Sequence, residues 1–338
     1  MSSSDFQHKE LIESLDELTS TQFGRRLFLQ VAPLLVVYSC SSGKKTRFRE
    51  GDNKGQKISL TPSDELKMTQ EVLPKMRADY PIFNNPELQN YINTLGQSII
   101  TKNDLHNKPY AYNFSVVDVN YVNAFALPAG TIMITAPLIA MAESEAELAG
   151  VISHEIGHVK ARHAAERMEQ AKKDKNKSLL YMGLGGLIGG AAGAGLGKLL
   201  CKPKDDECVK RTALLGAAAG VGGGLLIQKY AFMANSQEDE LEADRVGYRL
   251  AVGAGYDKER VGDFYTKLLE MEKKSKTAND PLISQLSDAM STHPPSVERV
   301  KQLRQMAAND AAKKGGIISS KGFDRMRKVA SVVTKKST

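Results

Sequence analysis

Cysteine is scarce in this 338-residue chain, which has three in all. Cys201 and Cys208 bracket a short polar loop with no histidine or further cysteine beside them. That makes a weak thiolate zinc site and a well-spaced disulfide in an oxidising compartment. The apolar run near the N-terminus, Leu27 to Tyr38, is too short for an ordinary transmembrane helix. Dispersed positive charge is missing too. The formal charge is +7, but Ala311 to Thr338 hold eight basic residues against Asp324 alone, so that end carries the whole excess. A local excess argues against a broad nucleic-acid-binding face and describes a basic, solvated, partly disordered C-terminal tail, with contact to anionic lipid or polymer as the alternative. No stretch resembles a repeat or a separate partner-binding domain. What remains, 41% hydrophobic and 25% charged, suffices for one large domain or two small ones.

Against that background one stretch stands out, His154-Glu155-Ile156-Gly157-His158. It lies in a proline-free run from Ala142 to Lys172, rich in Ala, Glu and Lys, that reads as one helix. Residues four apart share a helix face, so the two imidazoles converge on one point. Two neutral imidazoles at this spacing suit one tetrahedral Zn2+, and Glu155 can reach a water there. The bland alternative is two surface histidines on an amphipathic helix.

Two histidines leave a catalytic zinc site short of a third protein ligand. The segment Ser236 to Asp244, SQEDELEAD, opens another helix and offers candidates. Glu240 and Asp244 are four apart, so Glu240 could bind the metal while Asp244 orients a ligand imidazole. By chemistry alone Glu238, Asp239 and Glu242 remain rivals, since acidic residues gather at helix starts for the dipole as well.

The N-terminus reads as an address. Arg25-Arg26 followed by Phe28-Leu29 resembles a twin-arginine export signal, and Val37-Tyr38-Ser39-Cys40 resembles a lipobox whose cysteine is lipidated. An uncleaved anchor is the alternative. Ser41 after the cysteine resembles outer-membrane sorting, and residues 41–57, rich in Ser, Gly and charge, read as a flexible tether.

Between tether and metal motif, Pro62 to Arg77 and Pro86 to Thr101 read as capped helices. Tyr112 to Val119 alternates like a strand, and Thr131 to Thr135 is a second, expected to pair with it across the turn at Pro128 and Gly130. The strand before the zinc helix is either a sheet edge for an extended peptide or an ordinary core hairpin. Beyond the motif, Ser178 to Gly197 and Thr212 to Gln228 carry no charge and place glycine at every fourth position. They read as two helices packed glycine face to glycine face, stapled by Cys201 and Cys208. Insertion of this hairpin into a membrane stays open.

These motifs together resemble the gluzincin metallopeptidases of the HtpX, CAAX prenyl protease and Oma type, peptidase family M48. The resemblance rests on HExxH, on Glu240-x-x-Ala243-Asp244, on Asn123-Ala-Phe-Ala-Leu-Pro, on Ala161-Arg-His163, and on Thr292-His293-Pro294 with Arg299. It spans roughly residues 60–305, and the exported, tethered form is similar to periplasmic lipoprotein members of the LoiP and BepA type. Ala129 departs from the family, standing where the first glycine of Leu-Pro-Gly-Gly usually lies, which stiffens the turn. The resemblance implies one zinc per chain on His154, His158 and Glu240, with Glu155 as general base and Asp244 orienting a ligand. It further implies His293 as a fourth, latency-conferring ligand, and Asn123, Ala124, Phe125 and Arg299 as substrate-binding residues. For a lone histidine before two prolines, a capped turn is the competing role.

The expected fold is α+β and mostly helical, a zincin with a small antiparallel sheet beside the HExxH helix and a glycine-rich helical hairpin. The expected layout is an export signal (1–39), a tether (40–59), a metallopeptidase domain (60–310, hairpin at 178–229) and a basic tail (311–338). The expected activity is a zinc endopeptidase on the periplasmic face of the outer membrane. It would cut misfolded or misassembled envelope proteins, held to the membrane by lipidated Cys40 and by the hairpin if that inserts, without nucleic acid. The competing class is a non-enzymatic envelope lipoprotein with a structural or inactive metal site.

Overall fold

The computed structural model describes residues 51, 53, 55–173, 235–275, 286, 289–290, 292–311 and 315–334. The export signal, Cys40, the glycine-rich hairpin at 178–229 and the Cys201–Cys208 pair lie outside the described residues. Among those described, no helix is long and apolar enough to cross a membrane.

Two helices open the fold. In α1 (Pro62–Asp79), Thr61 and Asp64 form a reciprocal capping box. In α2 (Pro86–Lys102), Asn85 caps the N-terminus, and Leu88, Ile92, Leu95, Ile99 and Ile100 face the core. Strands β1 (Asn113–Val117), β2 (Ala124–Ala126) and β3 (Thr131–Thr135) follow, with a 3-10 turn at Pro128–Gly130 between the last two.

The sheet is mixed, with order β1-β3-β2, which corrects the expected antiparallel hairpin. β1 and β3 run parallel, Phe114 opposite Ile132, while β2 and β3 are antiparallel, Phe125 opposite Met133. The reason is the intervening β2: the chain reverses twice between β1 and β3, and β3 takes the centre. It therefore has no free edge, and the edge position beside the metal helix belongs to β2. The turn into β3 carries Ala129 at φ 61, a left-handed conformation costing a non-glycine residue about 1–2 kcal/mol.

After the short α3 (Ala136–Met141) comes α4 (Glu145–Lys160), capped by Ser144 and buried along nearly its whole length. The expected single helix from 142 to 172 is in fact two. The chain breaks at Ala161-Arg162, where Arg162 takes φ 55, and α5 (His163–Lys173) leaves in a new direction. Helix α6 (Gln237–Gly253) packs along α4. Two glycines permit this approach: a Cβ at Gly157 would lie 2.9 Å from the Ala243 carbonyl oxygen, and one at Gly247 would lie 2.7 Å from the His154 nitrogen. Helices α7 (Asp263–Ser275), α8 (Val297–Asn309) and α9 (Lys321–Thr334) complete the described part.

The basic C-terminal end is not a solvated tail over 317–334. Phe323, Met326 and Ala330, at i, i+3 and i+7, are buried on one face of α9, which packs on α2 and α3. Just before it, Ile317 exchanges hydrogen bonds with Gly255 and Asp257, and the Ile318 carbonyl accepts from Ala146 N–H at the start of α4. The end of the supposed tether is also docked. The Asn53 and Gln56 amides donate to the carbonyls of Lys160 and Ala161, at 3.1 and 2.7 Å, where α4 ends.

Candidate metal centre

The site forms where α4, α6 and the turn before α8 meet. His154 and His158, one helical turn apart on α4, bring their Nε2 atoms to 2.9 Å. Glu240, in the first turn of α6, places Oε1 3.2 Å from His158 Nε2 and Oε2 3.4 Å from His154 Nε2. His293, just ahead of α8, adds Nδ1 at 3.3 Å from His154 Nε2 and 3.1 Å from Glu240 Oε1. One donor atom from each of these four buried residues lies within 4.8 Å of all the others. Four ligands about 2.1 Å from a zinc ion stand roughly 3.4 Å apart, so the separations given above, 2.9–3.4 Å, are of the size that one shared ion needs.

Burial and close charges set the ionisation of these groups. Burial would raise Glu240, but Arg299 foremost, then His293 and His158, reverse this and hold it well below the carboxylate range. Asp244 is likewise lowered against burial, chiefly by Arg299. Burial pulls His154 down, yet hydrogen bonds to Asp244 and Glu240 outweigh it and push the group up to about 9. Burial and the neighbouring His154 hold His158 well below its usual value. Two ionised carboxylates thus balance the Arg299 guanidinium and the raised His154, and carboxylate and imidazole donors together are a set that suits a divalent ion.

Behind these donors stands a supporting layer. Asp244 Oδ1 lies 2.9 Å from His154 Nδ1, as a residue orienting that ring must. Arg299 grips both Asp244 oxygens at 2.7 Å, reaches Glu240 Oε2 at 2.7 Å and donates to the Pro294 carbonyl. Its guanidinium sits 4.5 Å from the Tyr265 ring centre, and that ring packs on His154. Arg299, expected among the substrate-binding residues, is thus buried behind the candidate donors. Sequence reasoning did not reach Tyr265, because nothing in the spacing of α7 marks one tyrosine.

Glu155 is wholly within the site, with its carboxyl raised above the usual range by burial, against the pull of His293 and His154. His293 Nε2 has no hydrogen-bond partner among the described residues and faces Glu155 Oε1 at 3.5 Å. His293 therefore stands between the donor set and Glu155. Of the acidic rivals, Glu242 turns away to His163, and Asp239 closes the α6 capping box with Ser236.

Asn123 is buried. Its N–H donates to Thr135 Oγ1, its carbonyl accepts from Thr135 N–H, and its side-chain oxygen accepts from Thr292. It ties β3 to the turn carrying His293. The Ala124 and Phe125 side chains are buried as well, Phe125 against Tyr80. Any contact of these three with a peptide falls to their main chain, at and just before β2.

The comparisons agree with this geometry. A model of peptidase family M48 matches residues 86–307, about two thirds of the chain. The chain is 28% identical over 257 residues to the beta-barrel assembly-enhancing protease of Escherichia coli O157:H7, covering 76% of this chain and 46% of that one. It is 30% identical over 200 residues to the mitochondrial metalloendopeptidase OMA1 of Arabidopsis thaliana, covering 59% and 32% respectively. With the metalloprotease LoiP of Escherichia coli K12 it shares 24% over 229 residues, 68% of this chain and 74% of that one. The chain spans about half the length of the assembly-enhancing proteases it matches. From the matched segment and the donor set within it, the chain belongs to peptidase family M48.

Proposed function

We propose that this chain is a zinc-dependent endopeptidase acting on misfolded or misassembled cell-envelope proteins. The observation that carries the reading is the buried cluster of His154, His158, Glu240 and His293 with Glu155 beside it. His154, His158 and Glu240 would hold the zinc. When bound, zinc supplies Lewis acidity toward water and the scissile carbonyl. Glu155 accepts the proton of the attacking water and hands it to the leaving amide nitrogen. Its raised carboxyl suits a group that must both take and return a proton. Asp244 and Arg299 keep the donors oriented through the cycle, and no cysteine takes part.

In this reading His293 keeps the enzyme latent. Its ring fills the corner nearest Glu155, so water and substrate enter only when the Thr292–Pro294 turn swings out. Support comes from its two-sided placement, with Nδ1 among the ligands and Nε2 toward Glu155. An extended substrate would lie beside β2, which packs next to α4.

Export, lipidation at Cys40 and residence at the periplasmic face of the outer membrane follow from the N-terminal motifs. A role in protein assembly is consistent with the name of one E. coli relative, the beta-barrel assembly-enhancing protease. The test is substrate trapping with Glu155→Gln, which keeps the donor set. The variant should capture envelope polypeptides intact that the unsubstituted protein cuts. Undiminished cutting by Glu155→Gln would overturn the reading.

A further inference from the structure

The two histidines of the HExxH motif are backed in different ways. His154 has the carboxylate of Asp244 behind it. The outer nitrogen of His158 meets another histidine: its Nδ1 lies 2.8 Å from Nδ1 of His163, with ring centres 5.0 Å apart and planes at 73°. His163 is wholly buried at the start of α5. Its Nε2 faces Glu242 Oε2 at 3.4 Å, with Asp239 Oδ1 at 3.8 Å. Glu242, also wholly buried, uses its second oxygen to accept the Gly51 N–H at 3.1 Å. The Gly51 carbonyl in turn accepts from Lys160 Nζ at 2.9 Å, at the last residue of α4.

Only one proton fits between two Nδ1 atoms. With His158 Nε2 turned toward the other ligands, its proton sits on Nδ1 and is donated to His163 Nδ1. His163 then carries its own proton on Nε2, aimed at Glu242. One assignment of tautomers satisfies the whole chain. An imidazole and a carboxylate are costly to bury, and an apolar pair would fill the same space at lower cost. A ligand histidine, by contrast, needs such a partner to fix its ring and raise its basicity.

We propose that His163 and Glu242 are positioning residues for the metal ligand His158, and that Gly51 completes the chain by fixing Glu242. Metal retention then depends on the docked N-terminal segment. Gly51 is suited to this place. It takes φ +70, and a Cβ there would come within 3.1–3.3 Å of Lys160 and Val246 atoms. Asn53 and Gln56 hold the same segment to the Lys160 and Ala161 carbonyls, so it closes over the end of the metal helix. The inference rests on His154, His158 and Glu240 being metal ligands, not on the substrate.

The test uses the full-length protein, Zn2+ competed against a chromophoric chelator, and the melting temperature after the metal is stripped. His163→Phe fills the same buried place, Glu242→Gln keeps the shape, and Gly51→Pro removes the donor and, since proline cannot take φ +70, undocks the segment. Asp244→Asn, behind the other histidine, sets the scale. His163→Phe and Glu242→Gln should weaken zinc affinity about 10- to 100-fold and speed its release. Gly51→Pro should weaken it less, and the stripped melting temperature of His163→Phe and Glu242→Gln should hold. Should His163→Phe not fold, Glu242→Gln carries the test. Affinity equal to the unsubstituted protein in folded Glu242→Gln, or a lower melting temperature with unchanged affinity, overturns the proposal. No zinc bound by the unsubstituted protein would instead sink the metal reading itself, and this inference with it.

Discussion

The two ends of α4 are anchored by different chemistry. At its N-terminal end, Ser144 caps the helix, Ser319 and Ile318 hydrogen-bond its first turn, and Tyr256 donates to Glu145 at 3.1 Å. Beyond these, Ser320, just ahead of α9, donates to Glu145, and α9 itself is seated on α2 and α3 through Phe323, Met326 and Ala330. At the C-terminal end, buried histidines and carboxylates crowd together, and Arg299 balances part of their charge. The first end is held by packing and backbone bonds that need no ligand. The second is held by groups that repel or stay unpaired unless each partner is present. A helix firmly seated at one end can carry a costly polar cluster at the other, and substitutions at the two ends should therefore fail differently.

The sharpest contrast pairs Glu155→Gln with Phe323→Ala. The first should lower proteolysis by about 10²- to 10⁴-fold with an unchanged thermal transition. The second should cost about 3–5 kcal/mol of stability, read by denaturant unfolding, while the folded fraction keeps its zinc. If Phe323→Ala strips the metal from folded protein, the two ends are not separable. Next is Arg299→Met, which leaves Asp244 and Glu240 without their guanidinium. A broken buried pair should cost about 3–5 kcal/mol in the zinc-stripped protein, and restored zinc should recover part of it by binding the folded state alone. Equal losses with and without zinc would separate Arg299 from the metal centre. Smallest is His293→Ala, expected to raise cleavage of an unfolded substrate severalfold with stability nearly unchanged. Lower cleavage with zinc retained would count against latency.

How much of this could be read from sequence follows from the kind of signal involved. The donor faces of α4 and α6 were legible because helical spacing alone brings His154 to His158 and Glu240 to Asp244. Glu240 was distinguishable from Glu242 only by resemblance, since both sit in one acidic turn and the choice depends on how α6 rolls against α4. Strand direction was not legible. Alternation in Tyr112 to Val119 marks a strand but does not say which neighbour it takes, and the short β2 between the two was enough to reverse the pairing. The break at Arg162 gave no warning, because Ala-Arg-His-Ala holds neither glycine nor proline. On an unbroken helix His163 would sit five residues, about 140°, round from His158; only the bend brings the two rings together. At the C-terminus the count of basic residues hid the apolar face of α9. The role of Arg299 depended on long-range contacts, with Asp244 55 positions away.

The central claim is that His154, His158 and Glu240 form one zinc site on which Glu155 acts without holding the metal. Its most direct test is zinc per chain after exhaustive dialysis. The unsubstituted protein and Glu155→Gln should each retain one zinc, and His158→Ala and Glu240→Ala should retain almost none while staying folded. Full zinc in folded His158→Ala, or none in the unsubstituted protein, would contradict it.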